Sequence, residues 1–385
     1  MMESKFDKGP QRFGSGAVKW DILEDKDILP LWIADMDFYS PAPVRQRMVE
    51  LAEHGTYGYN MTPSGYLDAV VNWEKNRHGI AIEKEWLMYS CGVVAGISWI
   101  LLSLTQPGDA VLIQTPVYNP FHDVVKNNGR VLVDSSLVNR QGSYTIDFAD
   151  FEEKVKTQKV KAFILCNPHN PVGRCWSREE LAKLYHICRE NGVLIISDEI
   201  HQDLIRGGFS HTPMAAVAED AAQYVITLSA PSKTFNVPGL HHSYLFTANE
   251  DYRKEIQEKI IAPLHIGGTQ MGYEACMVAY NQCGDWLDEL NAYLDQNAAF
   301  VRDFLAAELP QVVVTPIEAT YLMWLDFAAL GLRGEELTKT VASAKLKLGE
   351  GYVYADYADS FQRVNIGCPR AMLEEAMHRL VKVMK

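Results

Sequence analysis

The sequence predicts an α/β protein in which a mostly parallel sheet is joined to a smaller α+β domain. In the middle of the chain, short and mainly apolar β-like runs alternate with helical patterns. This alternation is typical of a parallel sheet that helices cover on both faces. After residue 285, one long helical pattern, several short β-like pieces and a final helix follow one another, which indicates a separate α+β region.

The individual elements follow from their own local signals. In the middle of the chain, strands are expected at residues 110–114, 160–165, 193–197, 224–228 and 243–247. Between two of them, a helix is expected over residues 177–191, with Ser177 as N-cap and two glutamates in the first turn. Towards the C-terminus, the patterns predict helices over 285–309 and 369–385, and short strands at 312–316, 320–325 and 362–366. We expect a large domain over residues 46–285, and a small domain from residues 1–45 plus 286–385.

The composition argues against several classes of partner. The 385 residues include 49 acidic side chains against 36 lysines and arginines, which gives a net charge of −13 at pH 7. We therefore expect no nucleic-acid and no membrane partner, because both favour basic surfaces. Seven scattered cysteines without a Cys-x-x-Cys pair predict reduced thiols, a cytoplasmic location and no metal site. Residues 86–104 carry no charge, and we expect a strand, a turn and a buried helix there rather than a membrane span.

The most informative residue is a lysine that follows a predicted strand. Lys233 comes after the run at residues 224–228 and stands among small and turn-forming residues, in Ser-Ala-Pro-Ser-Lys-Thr-Phe-Asn. An amine at a strand end is a candidate to form a Schiff base with a carbonyl cofactor. The alternative for Lys233, read by itself, is an ordinary surface lysine.

Two further segments carry groups that suit pyridoxal 5′-phosphate (PLP). Asp198 ends the apolar run at residues 193–197, where a buried carboxylate needs a cation such as a pyridinium nitrogen. The alternative is an N-cap for a following helix. Asn170 lies in Asn-Pro-His-Asn-Pro, and its amide is a candidate donor to the phenolate oxygen of the cofactor, although a plain turn gives the same pattern.

The other requirements of PLP chemistry are a phosphate site, an aromatic face and a cation for the substrate. The phosphate candidates are amides at the start of a predicted helix and one hydroxyl, namely Gly92, Val93, Val94 and Ser232. Tyr118 is a candidate to stack on the ring, with a core tyrosine as the alternative. Arg363 stands in an otherwise uncharged stretch and suits a substrate carboxylate, with an internal ion pair as the alternative.

In chain order, these residues resemble a known constellation. The segments that carry the resemblance are Trp-Ile-Ala-Asp-Met-Asp-Phe at 32–38, Gly-Tyr at 58–59, Asn-Pro-His-Asn-Pro-Val-Gly at 167–173, Asp-Glu-Ile-His at 198–201, Ser-Lys-Thr-Phe-Asn at 232–236 and Arg-Val-Asn at 363–365. The chain resembles the fold-type I PLP enzymes of the class I/II aminotransferase superfamily, and within it the cystathionine β-lyase, or C–S lyase, branch. The resemblance implies PLP as cofactor and the seven-stranded type of sheet of the PLP-dependent transferase fold.

The resemblance also implies roles for the residues that bind the cofactor. Lys233 would hold PLP as a Schiff base and carry the substrate proton. Asp198 would pair with the pyridine nitrogen, and Asn170 would bind the phenolate oxygen. His201 stands where ordinary aminotransferases of this superfamily carry a tyrosine; it would either contact the cofactor or be a hydrogen-bonded structural histidine. His241 stands where many relatives place an arginine on the phosphate, and a histidine is a weaker, pH-dependent cation.

The substrate and the partner subunit are also implied by the resemblance. Arg363 would hold the carboxylate of an amino-acid substrate, and Ala34 and Tyr118 would contact the same substrate. Tyr59 would reach the phosphate of the neighbouring subunit, so the active enzyme would be a homodimer.

We expect a PLP-dependent lyase that cleaves L-cystathionine or related L-cysteine S-conjugates to a thiol, pyruvate and ammonia. The alternatives are an aminotransferase on the same scaffold and a regulatory protein with a PLP fold. Motifs of other enzyme classes, such as Gly-x-Gly-x-x-Gly, a Walker loop or His-Glu-x-x-His, do not occur in the sequence.

Overall fold

The computed structural model of the protein describes residues 4–385. In this range the α-helices are, in chain order, α1 (Val18–Asp21), α2 (Ala42–His54), α3 (Tyr66–His78), α4 (Val93–Leu104), α5 (Pro120–Asn127), α6 (Phe148–Thr157), α7 (Arg178–Glu190), α8 (Pro231–Thr234), α9 (Glu250–Ile256), α10 (Gln270–Gln282), α11 (Gly284–Glu308), α12 (Gly334–Ser343) and α13 (Arg370–Met384). The strands are β1 (Leu29–Pro30), β2 (Leu87–Ser90), β3 (Ala110–Ile113), β4 (Val131–Asp134), β5 (Val138–Arg140), β6 (Ser143–Thr145), β7 (Val160–Cys166), β8 (Leu194–Asp198), β9 (Val225–Ser229), β10 (Ser243–Phe246), β11 (Val313–Val314), β12 (Leu322–Asp326), β13 (Leu346–Lys347), β14 (Gly349–Glu350) and β15 (Phe361–Asn365).

A seven-stranded sheet forms the centre of the fold, in the order β2-β10-β9-β8-β7-β3-β4. Strand β10 runs antiparallel to both of its neighbours, and the other neighbouring pairs are parallel. Every residue of β3, β8 and β9 is buried, as expected for strands that helices cover on both faces. The prediction of an α/β fold with a mostly parallel, seven-stranded type of sheet is confirmed.

A second, smaller sheet is antiparallel and lies in the C-terminal part of the chain, in the order β11-β12-β15-β14. The long helix α11 and the final helix α13 pack against each other beside it. The N-terminal arm joins this region, because β1 pairs with β13 and Leu31 accepts a backbone hydrogen bond from Asn365 over 2.9 Å. The domain limits at residues 45/46 and 285/286 stay a prediction.

Local signals in the sequence located most of the expected elements within a few residues. Helix α7 begins with a capping box in which the Ser177 hydroxyl accepts from the Glu180 amide and the Glu180 carboxylate accepts from the Ser177 amide. The uncharged residues 86–104 form the end of a 3₁₀ turn, β2 and the twelve-residue helix α4. None of the helices described here has the length and apolar character needed to span a bilayer.

Candidate active site

A cavity of about 360 Å³ opens at the carboxyl ends of β7, β8 and β9. Parallel sheets of this kind commonly place their ligands at this edge. The cavity brings together most of the predicted site residues, namely Ala34, Gly92, Val93, Val94, Tyr118, Asn170, Asp198, His201, Ser232, Lys233 and His241.

Lys233 lies on the short helix α8, which begins two residues after β9. Its Nζ atom donates a hydrogen bond to the carbonyl oxygen of Ala34 over 2.6 Å. Burial lowers the pKa of the Lys233 amine to about 8, and the charge of Arg363 acts in the same direction. The carboxylates of Asp35 and Asp198 oppose this shift. A lysine with a lowered pKa is a better nucleophile and base near neutral pH than a surface lysine.

Asp198 is the last residue of β8 and is only 4% exposed. Its Oδ1 atom accepts a hydrogen bond from the Ile200 amide over 3.1 Å. Burial raises the pKa of the Asp198 carboxyl to about 7, because the hydrogen bond from the Ile200 amide and the charge of Lys233 offset its desolvation only in part. The N-cap alternative is wrong, since turns rather than a helix follow this strand. A carboxyl group in this state would bind a cationic ligand group favourably.

Arg363 and Asn170 form one hydrogen-bonded unit beside the cavity. Arg363 lies on β15 and donates from Nη1 to Oδ1 of Asn170 over 3.0 Å, and from Nη2 to the Trp32 carbonyl over 2.7 Å. Its guanidinium also lies over the ring of Tyr354, with 4.9 Å to the centroid. In the described part of the chain Arg363 makes no ion pair, so the internal ion pair is not what holds this buried cation. Because Asn170 accepts through Oδ1, its Nδ2 group is the one left to donate.

The first turn of α4 forms one wall of the cavity. Val93 and Val94 begin this twelve-residue helix, and Gly92 precedes them as its N-cap. Within residues 4–385, no atom lies within 4 Å of a Cβ atom built on Gly92, so the space beside this glycine is open. Free amides at a helix N-terminus favour anions such as phosphate. The hydroxyl-bearing residue Ser232 and the exposed His241 line the same cavity.

Two buried histidines border the cavity. The ring of His201 lies 6.1 Å from that of Tyr321, and its Nδ1 atom is buried without a hydrogen-bond partner in residues 4–385. Burial, with the charges of Lys233 and Arg363, lowers the pKa of His201 to about 3. Within the described residues, no hydrogen bond at Nδ1 supports the alternative of a structural histidine, and contact with the cofactor stays a prediction. His242, which the sequence analysis missed, contacts the Tyr66 hydroxyl over 3.0 Å, and burial lowers its pKa to about 3.

The aromatic candidates have different positions. Tyr118 is half-buried and lines the cavity, and burial raises the pKa of its hydroxyl. Tyr59 is fully exposed, in an irregular stretch outside the cavity, so its role towards a partner subunit stays a prediction. Tyr321 was missed. It is completely buried and donates to the Ala34 carbonyl over 2.9 Å, but in the sequence nothing distinguishes it from a core tyrosine.

The fold and the cavity define an α/β protein that places a half-buried amine, a buried carboxyl group and a helix N-terminus around one cleft. The family description "Aminotransferase class I and II" matches residues 28–380. The chain belongs to this family.

Individual relatives are similar over nearly the whole chain. Cystathionine beta-lyase PatB of Bacillus subtilis (strain 168) is 40% identical over 97% of this chain and 98% of its own. Cystalysin of Treponema denticola, whose crystal structure contains PLP, has a TM-score of 0.95 at 34% identity and 99% coverage of both chains. The PLP-bound C–S lyase of Staphylococcus hominis has a TM-score of 0.93 at 34% identity, over 99% of this chain and 98% of that chain.

Proposed function

We propose that the chain is a PLP-dependent C–S β-lyase that cleaves L-cystathionine or related L-cysteine S-conjugates to a thiol, pyruvate and ammonia. The observation that carries this proposal is the juxtaposition of Lys233 and Asp198 in one cavity, with the pKa of the amine lowered and that of the carboxyl raised. Opposed shifts of this kind are typical of catalytic groups.

The residues of the cavity fit PLP. Asp198 is a buried carboxyl group whose charged form is costly without a cationic partner, which a protonated pyridine nitrogen supplies. The amides of Val93 and Val94 offer a site for the phosphate. Lys233 supplies the amine, Asn170 a side-chain N–H for the phenolate oxygen, and Tyr118 an aromatic face. When bound, PLP supplies an aldehyde for an amine and a ring that accepts the electron pair released at the substrate Cα.

The chain's own groups would then divide the work as follows. The guanidinium of Arg363 holds the substrate carboxylate, for which its buried and unneutralised charge is suited. Lys233 takes the proton from Cα through its Nζ atom, which requires the uncharged amine; its lowered pKa makes that form available near neutral pH. Asp198 would pair with the pyridine nitrogen and so favour its protonated form. The overall reaction consumes one water, breaks the Cβ–S bond and leaves the sulfur as a thiol.

The choice of lyase rests on the relatives. PatB and the Staphylococcus hominis protein are named as a cystathionine beta-lyase and a C–S lyase, and both match this chain over nearly its full length. The family description, in contrast, covers aminotransferases, which use the same set of cofactor groups. An aminotransferase is therefore the second candidate, and the products distinguish the two.

A homodimer and a cytoplasmic location complete the proposal. The exposed side chains of Tyr57, Tyr59 and Met61 stand on one irregular stretch next to a cavity that shares His241 with the candidate active site. Large exposed apolar side chains next to a cleft support an interface there. In the proposed dimer, Tyr59 reaches the phosphate of the neighbouring subunit.

The function is tested by giving the purified, PLP-loaded protein L-cystathionine and following pyruvate and free thiol. We expect both products, and we expect Lys233→Ala to abolish them. Lys161→Ala is the matched control, because Lys161 is exposed on β7 away from the cavity. Absence of both products from the wild-type protein with cystathionine and with other cysteine S-conjugates would contradict the proposal.

A further inference from the structure

The segment next to Lys233 is held through its backbone carbonyls. We call residues 32–36 the carbonyl segment, because the carbonyl oxygens of these five consecutive residues each accept a side-chain hydrogen bond. The donors come from four places: strand β15, the segment around Lys233, the N-terminal arm, and Tyr321 just before β12. The segment is therefore located by contacts from several parts of the fold rather than by its own secondary structure.

Strand β15 holds the first part of the carbonyl segment. Arg363 donates to the Trp32 carbonyl over 2.7 Å. The Asn365 amide donates to the carbonyls of Ile33 and Asp35 over 2.6 and 2.7 Å. Arg363, which we propose to bind the substrate carboxylate, therefore also contacts the carbonyl segment.

The N-terminal arm holds the other end. Arg12 donates to the Met36 carbonyl over 2.8 Å, and Lys19 donates to the Asp35 carbonyl over 3.1 Å. Both cations also form ion pairs with the carboxylates of Asp35 and Asp37. These pairs are largely buried, so their geometry is better defined than that of surface pairs.

Asn236 connects the carbonyl segment to the lysine segment, which we define as residues 233–236, the end of α8 and the two residues after it. It comes three residues after Lys233, and its side chain makes three hydrogen bonds of 2.9 Å: Oδ1 accepts from the Met36 amide, and Nδ2 donates to the carbonyls of Met36 and Phe38. Its backbone has a φ of +56°, a conformation that asparagine tolerates better than most residues. A side chain with an acceptor and a two-proton donor is needed to make all three contacts.

The contacts of Asn236 with Met36 affect the position of Ala34, which lies two residues before Met36 in the carbonyl segment. The Ala34 carbonyl accepts from the Lys233 amine over 2.6 Å and from the Tyr321 hydroxyl over 2.9 Å. We propose that Asn236 is a positioning residue, which fixes the carbonyl segment against the lysine segment and so sets where the Ala34 carbonyl holds the Lys233 amine. This inference rests on the proposed function, since it gives Lys233 the role of the reacting amine.

The test uses Asn236→Gly, because glycine adopts a positive φ without strain and the substitution therefore removes only the side chain. The matched control is Lys159→Gly, at an exposed position with a φ of +51°. Two readouts are made on the cofactor-free protein: hydrogen exchange of the Met36 amide, and the pH midpoint for attachment of PLP to Lys233. Attachment condenses the amine with the aldehyde, with loss of one water, and borohydride then reduces the C=N bond so that the adduct can be counted.

The direction of the expected change follows from the groups that face the amine. The Ala34 carbonyl and the carboxylates of Asp35 and Asp198 favour its protonated form, and Arg363 opposes it. If the carbonyl segment moves away, the amine loses the Ala34 carbonyl and the Asp35 carboxylate, and the pH midpoint for attachment of PLP falls. With the three hydrogen bonds removed, exchange of the Met36 amide should rise and kcat/KM should fall, each by about tenfold or more. Lys159→Gly should leave the exchange of the Met36 amide, the pH midpoint for attachment of PLP and kcat/KM unchanged.

Faster exchange at Met36 with an unchanged pH midpoint would overturn the proposal, because Asn236 would then hold the segment without positioning the amine. A wild-type protein that attaches no PLP at Lys233 would instead refute the proposed function. If Asn236→Gly does not fold, Asn236→Asp replaces it, since its carboxylate would face two carbonyl oxygens. We expect the defect of that variant to diminish at low pH, where a protonated carboxyl can donate to one of them; a defect that does not change with pH would overturn the proposal.

Discussion

Asp198→Asn removes a buried acid while keeping its shape, and its effect on stability should reverse when PLP is added. Burial raises the pKa of the Asp198 carboxyl from 3.8 to about 7. The folded protein therefore retains this proton between those pH values, while the unfolded chain releases it. Stability falls as the pH rises through this window, and the whole cost is present above pH 7. A shift of this size corresponds to at most about 4 kcal/mol.

The neutral amide of the Asp198→Asn variant would carry no such cost, and its oxygen can still accept from the Ile200 amide. The cofactor-free variant should therefore melt several degrees above the wild-type protein at pH 8, with a smaller difference at pH 5. With saturating PLP, the wild-type protein should have the higher melting temperature. The carboxylate of Asp198 then gains a pyridinium partner, with which the amide of the variant cannot form an ion pair. The assay is a thermal melt of both proteins at the two pH values, with and without PLP.

The control is Asp356→Asn, which removes a carboxylate from an exposed position. It should change the melting temperature little, at either pH and with or without PLP. A cofactor-free Asp198→Asn protein that is less stable than wild type at pH 8 would refute the reasoning about burial. An equal gain from PLP in both proteins would refute the pairing with the pyridine nitrogen.

Three other predictions follow from single contacts. Arg363→Lys should raise KM for the amino acid about tenfold or more while changing kcat less, because lysine cannot form the bidentate contact; equal KM values would contradict it. Burial favours the neutral form of His78, but its hydrogen bond to Asp203 and the charges nearby raise its pKa above 6.5, so the stability lost in His78→Gln should be larger at pH 6 than at pH 9 in thermal melts. Ser177→Ala should lower the free energy of unfolding by about 1 kcal/mol, and Ser177→Thr, which keeps the hydroxyl, by less.

The sequence predicted the central sheet because buried parallel strands leave a strong local signal. Runs such as the one before Asp198 are mainly apolar, which is typical of a short strand covered on both faces. The direction of β10 was not predictable, since an apolar run reads the same in either direction. The pairing of β1 with β13 was also missed, because two residues are too few to establish a period of two.

The candidate site was predicted where a residue type is rare in its local setting. Asp198 is the last residue of β8, and Lys233 comes four residues after the end of β9; a charged group so close to the end of a buried strand calls for an explanation. Whether a side chain is hydrogen-bonded or paired with an opposite charge depends on residues that are distant in the sequence. Local patterns do not contain that information. Whether Arg363 has an acidic partner and whether His201 is hydrogen-bonded are examples, as is the contact of Tyr321 with the Ala34 carbonyl.

The most direct test of the proposed function is the product balance from L-cystathionine with and without 2-oxoglutarate. A β-lyase should release pyruvate and thiol in equal amounts, and the keto acid should make no difference, because elimination regenerates the cofactor in each turnover. Turnover that depends on 2-oxoglutarate and yields glutamate without free thiol would contradict the lyase and would identify an aminotransferase.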